Sequence, residues 1–150
     1  MLFQQPLTEE TVFPLAGFAP SQGDPELPGV NLLYVVDKPT AGTGEHLTFT
    51  AWILNSSAEV LTDINLHLRS FTNSLLEPVH YKTQPSIRAM NHRFLAPHRS
   101  ISFTFTYVVG EGDVVYDGLL ISALQVSLLS PSRGRLHSEC DAMVTMDLAP

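Results

Sequence analysis

The residues best suited to chemistry crowd into one stretch of the 150-residue chain. Positions 67–99 hold Arg69, Lys82, Arg88, Arg93 and Arg99, opposed only by Glu77, and also His67, His80, His92 and His98. The remainder carries three basic and fourteen acidic residues, so this stretch is a cationic island on an acidic protein. Such an island suits an acidic partner surface or an anionic small molecule, because opposite charge steers encounter and penalises wrong partners. The plainer alternative is a set of solvated loop and edge residues whose charges discourage stray strand pairing. His80, Arg88, His92, Arg93, His98 and Arg99 are the candidate binding residues here, with the single tryptophan, Trp52, as a candidate contact surface.

Other chemistry finds little support. His92 and His98 are separated by six positions across Pro97. Two or three imidazoles with Glu77 are ligands that zinc or iron accepts, yet no metal-binding spacing is matched, and the expectation is no metal and no cofactor. Cys140 is the only cysteine, which excludes an intrachain disulfide and a multi-cysteine cluster. It stands between Glu139 and Asp141, whose charges disfavour a thiolate, so it reads as a small packed residue. Glu111, Asp113 and Asp117 sit among Gly110, Gly112 and Gly118. That cluster is either an oxygen cage for calcium or an acidic turn between strands, and the turn is the simpler reading. No nucleophile elbow, phosphate-cradling loop or zinc-protease helix motif occurs. Whether the chain is an enzyme is left open by its sequence.

The elements that must position these residues are strands. From residue 30 onward the apolar period is two. Residues 31–37 form a first strand, followed by the turn-rich Thr40-Ala41-Gly42-Thr43-Gly44. Residues 46–54 set Leu47, Phe49, Ala51 and Ile53 on one face and Thr48, Thr50 and Trp52 on the other, the pattern of a strand with one buried face. Residues 62–71 point Ile64, Leu66 and Leu68 one way and polar residues the other. Residues 101–107 alternate Ile101, Phe103, Phe105 and Tyr107 with hydroxyl residues. Residues 118–129 are apolar on both parities, as a central strand is, and 136–148 supply a last strand. Between Leu75 and Ala96 one or two weaker strands are expected, and Glu59 to Leu61 or Ser86 to Asn91 form at most a helical turn or two. No window sustains a helical apolar period, which removes dinucleotide folds and TIM barrels. The expectation is an all-β, antiparallel β-sandwich of seven to eight strands over residues 31–150, with a closed barrel as runner-up.

Within that frame, Gly44-Glu45, Leu47-Thr48-Phe49-Thr50 and Asn55-Ser56, followed by Leu95-Ala96-Pro97 ahead of the Phe-rich strand, resemble the immunoglobulin-like repeats of bacterial surface and adhesion proteins. The resemblance implies an immunoglobulin-like sandwich acting as a spacer, adhesion or protein-contact module. It implies a fold and no activity. The function expected is therefore a non-catalytic interaction or structural module. The alternative is a small-molecule binder or small β-fold enzyme with a pocket near segment 67–99.

Residues 1–30 differ from the rest. They hold five of the eleven prolines and no Lys or Arg, and carry Glu9, Glu10, Asp24 and Glu26. Prolines at that spacing prevent a long helix or continuous ladder, but Phe3, Val12, Phe13, Leu15 and Phe18 are apolar enough to want cover. The reading is an extended, partly ordered arm lying on its own sandwich or a neighbour's. It is anchored at residues 12–18, or through a short strand at 11–13, with Trp52 as the receiving surface; self-association or a protein partner follows from it. The net charge of −7 disfavours nucleic acid. Apolar runs are too broken to span a membrane. The first residues show neither a basic n-region nor a sustained apolar run, so the expected location is cytoplasmic. A precursor trimmed of its leader would instead be secreted or surface-displayed. Asn55-Ser56-Ser57 also fits an N-glycosylation acceptor.

Overall fold

The computed structural model describes residues 29–114 and 118–147, so all of the arm but Gly29 and Val30, and also Tyr116 and Asp117, lie outside the described residues. Among the described residues eight strands build two sheets. β1 (Val30–Val36), β3 (His46–Asn55) and β6 (Arg99–Val108) form the smaller sheet in the order β1-β3-β6, antiparallel throughout. β2 (Thr40–Ala41), β8 (Gly134–Met146), β7 (Leu119–Ser130), β4 (Leu61–Thr72) and β5 (Asn91–Leu95) form the larger one, in the order β2-β8-β7-β4-β5. The two-sheet, all-β architecture is the one expected, and β7 is central, flanked by β4 and β8.

Alternation decides which face is buried. Leu47, Phe49, Ala51 and Ile53 of β3 are fully buried, as are Leu120, Leu124, Val126 and Leu128 of β7. Between them lies an aromatic cluster. Phe49 and Phe105 come from the small sheet, Phe71 from β4, and Tyr81 from the loop after β4, its ring stacked on Phe71 at 4.3 Å between centroids. Tyr34 of β1 and Ser122 of β7 hydrogen-bond across the two sheets at 2.9 Å, and the Tyr81 hydroxyl bonds to both. Burial pushes the Tyr81 phenol up to about 12 and raises Tyr34 further, so both are neutral hydrogen-bonding groups.

Two details depart from the sequence reading. Thr40–Ala41 is more than a turn: it pairs with Thr145 and Met146 of β8 in parallel, the one parallel pairing among the described strands. The β4 alternation does not persist along the strand. Register shifts fall between Thr62 and Asn65 and between Leu68 and Ser70. Ile64 and Leu66 are buried, Leu68 is 36% exposed, and the inward role passes to Phe71. An extra residue at a bulge reverses parity, which no even-register pattern anticipates. Asp63 occupies positive φ at the first bulge, and its carboxylate accepts from Arg135 of β8. Of the one or two weaker strands expected between Leu75 and Ala96, β5 is present, together with two isolated bridges, Thr72–Pro78 and Thr83–Thr106. A single-turn helix, α1 (Ile87–Met90), lies between them, with Ser86 accepting from Ala89 N–H as its cap.

Candidate functional site

β5 ends the larger sheet and β6 ends the smaller one, and both edges lie on the same side of the sandwich. A tight turn joins them: Arg99 N–H donates to Ala96 C=O, with Pro97 and His98 in the middle and His98 at φ 61°. Proline followed by a positive φ is the type II arrangement. Beneath the turn Asn55, 2% exposed, donates from Nδ2 to the carbonyls of Glu59, Leu95 and Ala96. A buried amide bonded this way is a structural lock, and in the folded chain it is not presented as a glycosylation acceptor.

From this locked end the two edges diverge into a groove of about 830 Å³. It wraps the β6 edge from Ser100 to Thr104, with Trp52 on the outer side and Phe94, Leu95 and His92 of β5 opposite. Pro85 and Ala89 close the far wall, and Arg99 stands at the turn. Phe94 is 57% exposed despite its size, and Ile87 on the adjacent helix is 76% exposed.

The backbone explains why the groove exists. Val109 N–H and C=O bond to Glu45 and Gly44 beside β3, whereas Thr106 N–H and C=O turn the other way, to Thr83 and Lys82. Strand geometry repeats every second residue, so Thr104, Ser102 and Ser100 also aim their amides and carbonyls away from β3. Among the described residues nothing bonds to these groups. The antiparallel bridge at Thr83–Thr106, continued by two residues, would set Pro85 opposite Thr104. Proline has no N–H to donate, so the ladder stops there and the chain leaves into α1.

The structure brings together three of the seven candidate residues. Trp52, His92 and Arg99 line the groove. Arg88 and Arg93 are exposed neighbours on α1 and β5 that do not line it. His80 is exposed on the loop before Tyr81, and His98 serves the turn. Among the described residues no three His, Cys, Asp or Glu side chains come together as a metal site. Sequence reasoning missed Phe94 and the outward backbone of Ser100, Ser102 and Thr104. Pro85, after Thr83, was the available signal of an interrupted ladder.

The other candidates are structural. Cys140 is buried on β8; burial first, then Asp141, pushes its thiol up to about 12, the opposite of an activated nucleophile. Asp113, in a short helix at Glu111–Val114, is 3% exposed. It accepts from Tyr107 Oη at 2.6 Å, Gly110 N–H at 2.8 Å and Asn73 Nδ2 at 3.2 Å, so its lone pairs are engaged by the protein itself. No helix of the described residues is long and apolar enough to cross a membrane.

No protein-family model and no curated protein matches the chain. Solved structures match its fold. PapD-like domain 7 of human CEP192, an ASH/PapD-like domain, superposes with a TM-score of 0.55 at 10% identity, over 97% of this chain and 100% of that one. The sporulation control protein Spo0M of Bacillus subtilis matches at 0.46 and 17% identity, over 81% of this chain and 51% of that one. The yeast GGA1 GAE domain matches at 0.46 and 11%, over 79% and 91%. At these identities the likeness is one of fold: an immunoglobulin-like, PapD-like β-sandwich.

Proposed function

We propose that this protein is a non-catalytic protein-interaction module that binds an extended, acidic peptide segment along the β6 edge. The observation that supports the reading best is the row of outward backbone groups at Ser100, Ser102 and Thr104, unbonded among the described residues and set inside an apolar groove. An added strand takes its affinity from main-chain hydrogen bonds and its selectivity from pockets for alternate side chains. Phe94, Leu95, Phe103 and Trp52 supply the apolar contacts, with an indole at the rim where large aromatic anchors are most effective. Arg99 and His92 within the groove, and Arg88 and Arg93 beside it, favour carboxylates on the incoming segment.

The test uses a fluorescein-labelled nine-residue peptide, free of proline, that alternates Glu with Val and Phe. Anisotropy is measured against the full chain. Saturable binding is expected, weakened about tenfold by Arg99→Glu through the lost charge attraction and abolished by Ser102→Pro, which deletes an outward N–H while leaving the β3–β6 ladder intact. Arg69→Glu, on the far sheet beside Glu139, is the charge control. Equal binding by all four proteins would overturn the reading.

A further inference from the structure

Resting on that reading of the groove, we infer that the segment it takes is the C-terminal end of a partner chain, its terminal carboxylate seated on Arg99 and the Ser100 N–H.

The groove is closed at one end. β5 and β6 converge on the turn at residues 96–99, which crosses from one sheet to the other and is held from below by Asn55. A strand lying on β6 meets this connection at Arg99 and cannot pass through it. At the other end Thr83 already occupies the edge at Thr106. The open run is therefore residues 100–104, about 17 Å of strand. A segment from the middle of a chain must bend away at the turn, whereas a chain that ends there simply stops.

The closed end holds donors and a cation. Arg99 lines the groove and forms no ion pair among the described residues. Ser100 lines it too and is only 7% exposed, yet neither its hydroxyl nor its outward N–H has a hydrogen-bond partner among the described residues. Buried donors left unsatisfied are costly and therefore rare, so these two call for an acceptor that arrives with the ligand. A guanidinium beside a buried N–H and hydroxyl matches a carboxylate, which accepts charge-assisted bonds on both oxygens. Charge also sets direction. With its carboxylate here the segment runs antiparallel to β6, the sense of the Thr83–Thr106 bridge. A chain ending here in the reverse sense would press its terminal ammonium against Arg99.

A fixed terminus fixes the register. The last ligand residue opposes Ser100, and those before it oppose Ile101, Ser102, Phe103 and Thr104 in turn. Ile101 and Phe103 pair on their β3 side with Ile53 and Ala51, both fully buried, and so mark the inward face. Ligand residues opposite Ile101 and Phe103 turn inward as well, toward the wall that holds Phe94 and Leu95, and require apolar side chains. Those opposite Ser100 and Ser102 face outward and accept polar ones. A slip of one residue would exchange the two faces.

β1 is the other edge of the smaller sheet, and its outward backbone is likewise unbonded among the described residues. Val30, Leu32, Leu33 and Tyr34 are each less than a tenth exposed, however, and β1 carries no basic residue. It offers a carboxylate neither access nor charge.

The test uses the nine-residue peptide, labelled at its N-terminus and ending in Phe-Glu with a free carboxylate. It is compared with its C-terminal amide and with a version lacking the last Glu, in which the register turns the remaining Glu residues inward. Against the native chain both are expected to bind at least about tenfold more weakly than the parent peptide. Against Arg99→Gln the acid and the amide are expected to bind alike, a coupling that side-chain carboxylates elsewhere in the peptide would not produce. If the amide and the shortened peptide bind the native chain as tightly as the parent, while Ser102→Pro still abolishes binding, the groove takes internal segments: the terminal inference fails and the interaction reading stands. If no peptide binds, both fall. Undiminished binding by Ser102→Pro would put the peptide on another edge, β1 included, and overturn both.

Discussion

On the side of the sandwich where β1 and β8 meet, the chain leaves β1, turns at Lys38-Pro39 and lays Thr40–Ala41 against β8. There Thr145 N–H donates to Pro39 C=O and Asp147 N–H to Ala41 C=O. Asp37 closes the turn by accepting from Thr48 N–H at 2.9 Å. On the opposite side the chain also crosses between sheets, from β5 to β6, through a turn locked by Asn55, and among the described residues the outward edge of β6 is bonded at Thr106, by Lys82 and Thr83. Thr40–Ala41 bonds the end of β8 at Thr145 and Asp147, whereas on β6 the pairing stops at Thr106 and Ser100, Ser102 and Thr104 keep their outward donors and acceptors inside the groove. The contrast rests on two residues at most: a two-residue strand on one side, a proline on the other.

Equivalent truncations on the two sides are expected to differ most in stability. Met146, fully buried opposite Ala41, is expected to cost about 2–5 kcal/mol on replacement by alanine. Phe94→Ala on the open side should change stability by no more than about 0.5 kcal/mol, because its ring is more than half exposed. Urea denaturation measures both, and similar losses would break the comparison.

Asn55→Ala should come next. It removes the donor of three carbonyls at the locked end, at a cost of about 1–3 kcal/mol. Amide exchange around residues 95–100 should rise with it; an unchanged rate would mean that the turn holds without its lock.

A smaller effect sharpens what the closed core contributes. Cys140, ordinarily near 9, and Tyr81, ordinarily near 10, are both raised to about 12 in the fold, and Tyr34 is raised as well. Each keeps its proton when folded and loses it sooner when unfolded. Stability is thus complete below pH 9 and falls as pH rises from 9 toward about 12, by about 1 kcal/mol per pH unit for each group in its window. Urea midpoints measured from pH 7 to 11 test the sign, and Cys140→Ala should flatten the first part of the decline. The smallest expected change is that of Ser102→Pro on stability, within about 0.5 kcal/mol, since the N–H it removes faces the groove. A large loss would show that this N–H is already engaged within the sandwich.

The strands of the core were legible because burial imposes a period of two on β3 and β6, where Leu47 and Phe105 leave no choice of face, while β7 was legible as a run apolar on both parities. β4 was only half legible, since the bulges at Asp63 and after Leu68 alter parity without leaving a glycine to mark them. β2 was hidden in its turn because two residues carry no period. Of the candidate site, Trp52, His92 and Arg99 were found by charge and rarity. The edge itself was not, because outward amides belong to the backbone and no side chain announces them. His98 misled for a related reason: a histidine at positive φ before an edge strand does turn duty, where glycine or asparagine is more usual.

The bond between Tyr34 and Ser122 has a mechanical consequence. Apolar contact between two sheets is indifferent to small sliding, since one methyl surface serves nearly as well as the next. A hydroxyl bond tolerates little displacement before it is lost, and the loss of a buried partner is penalised. The Tyr34, Tyr81 and Ser122 hydroxyls therefore act as a shear pin between the layers, fixing how far the β5 edge can travel past the β6 edge. The calibre of the opening near Trp52 is set in the interior, by three oxygens that never face it.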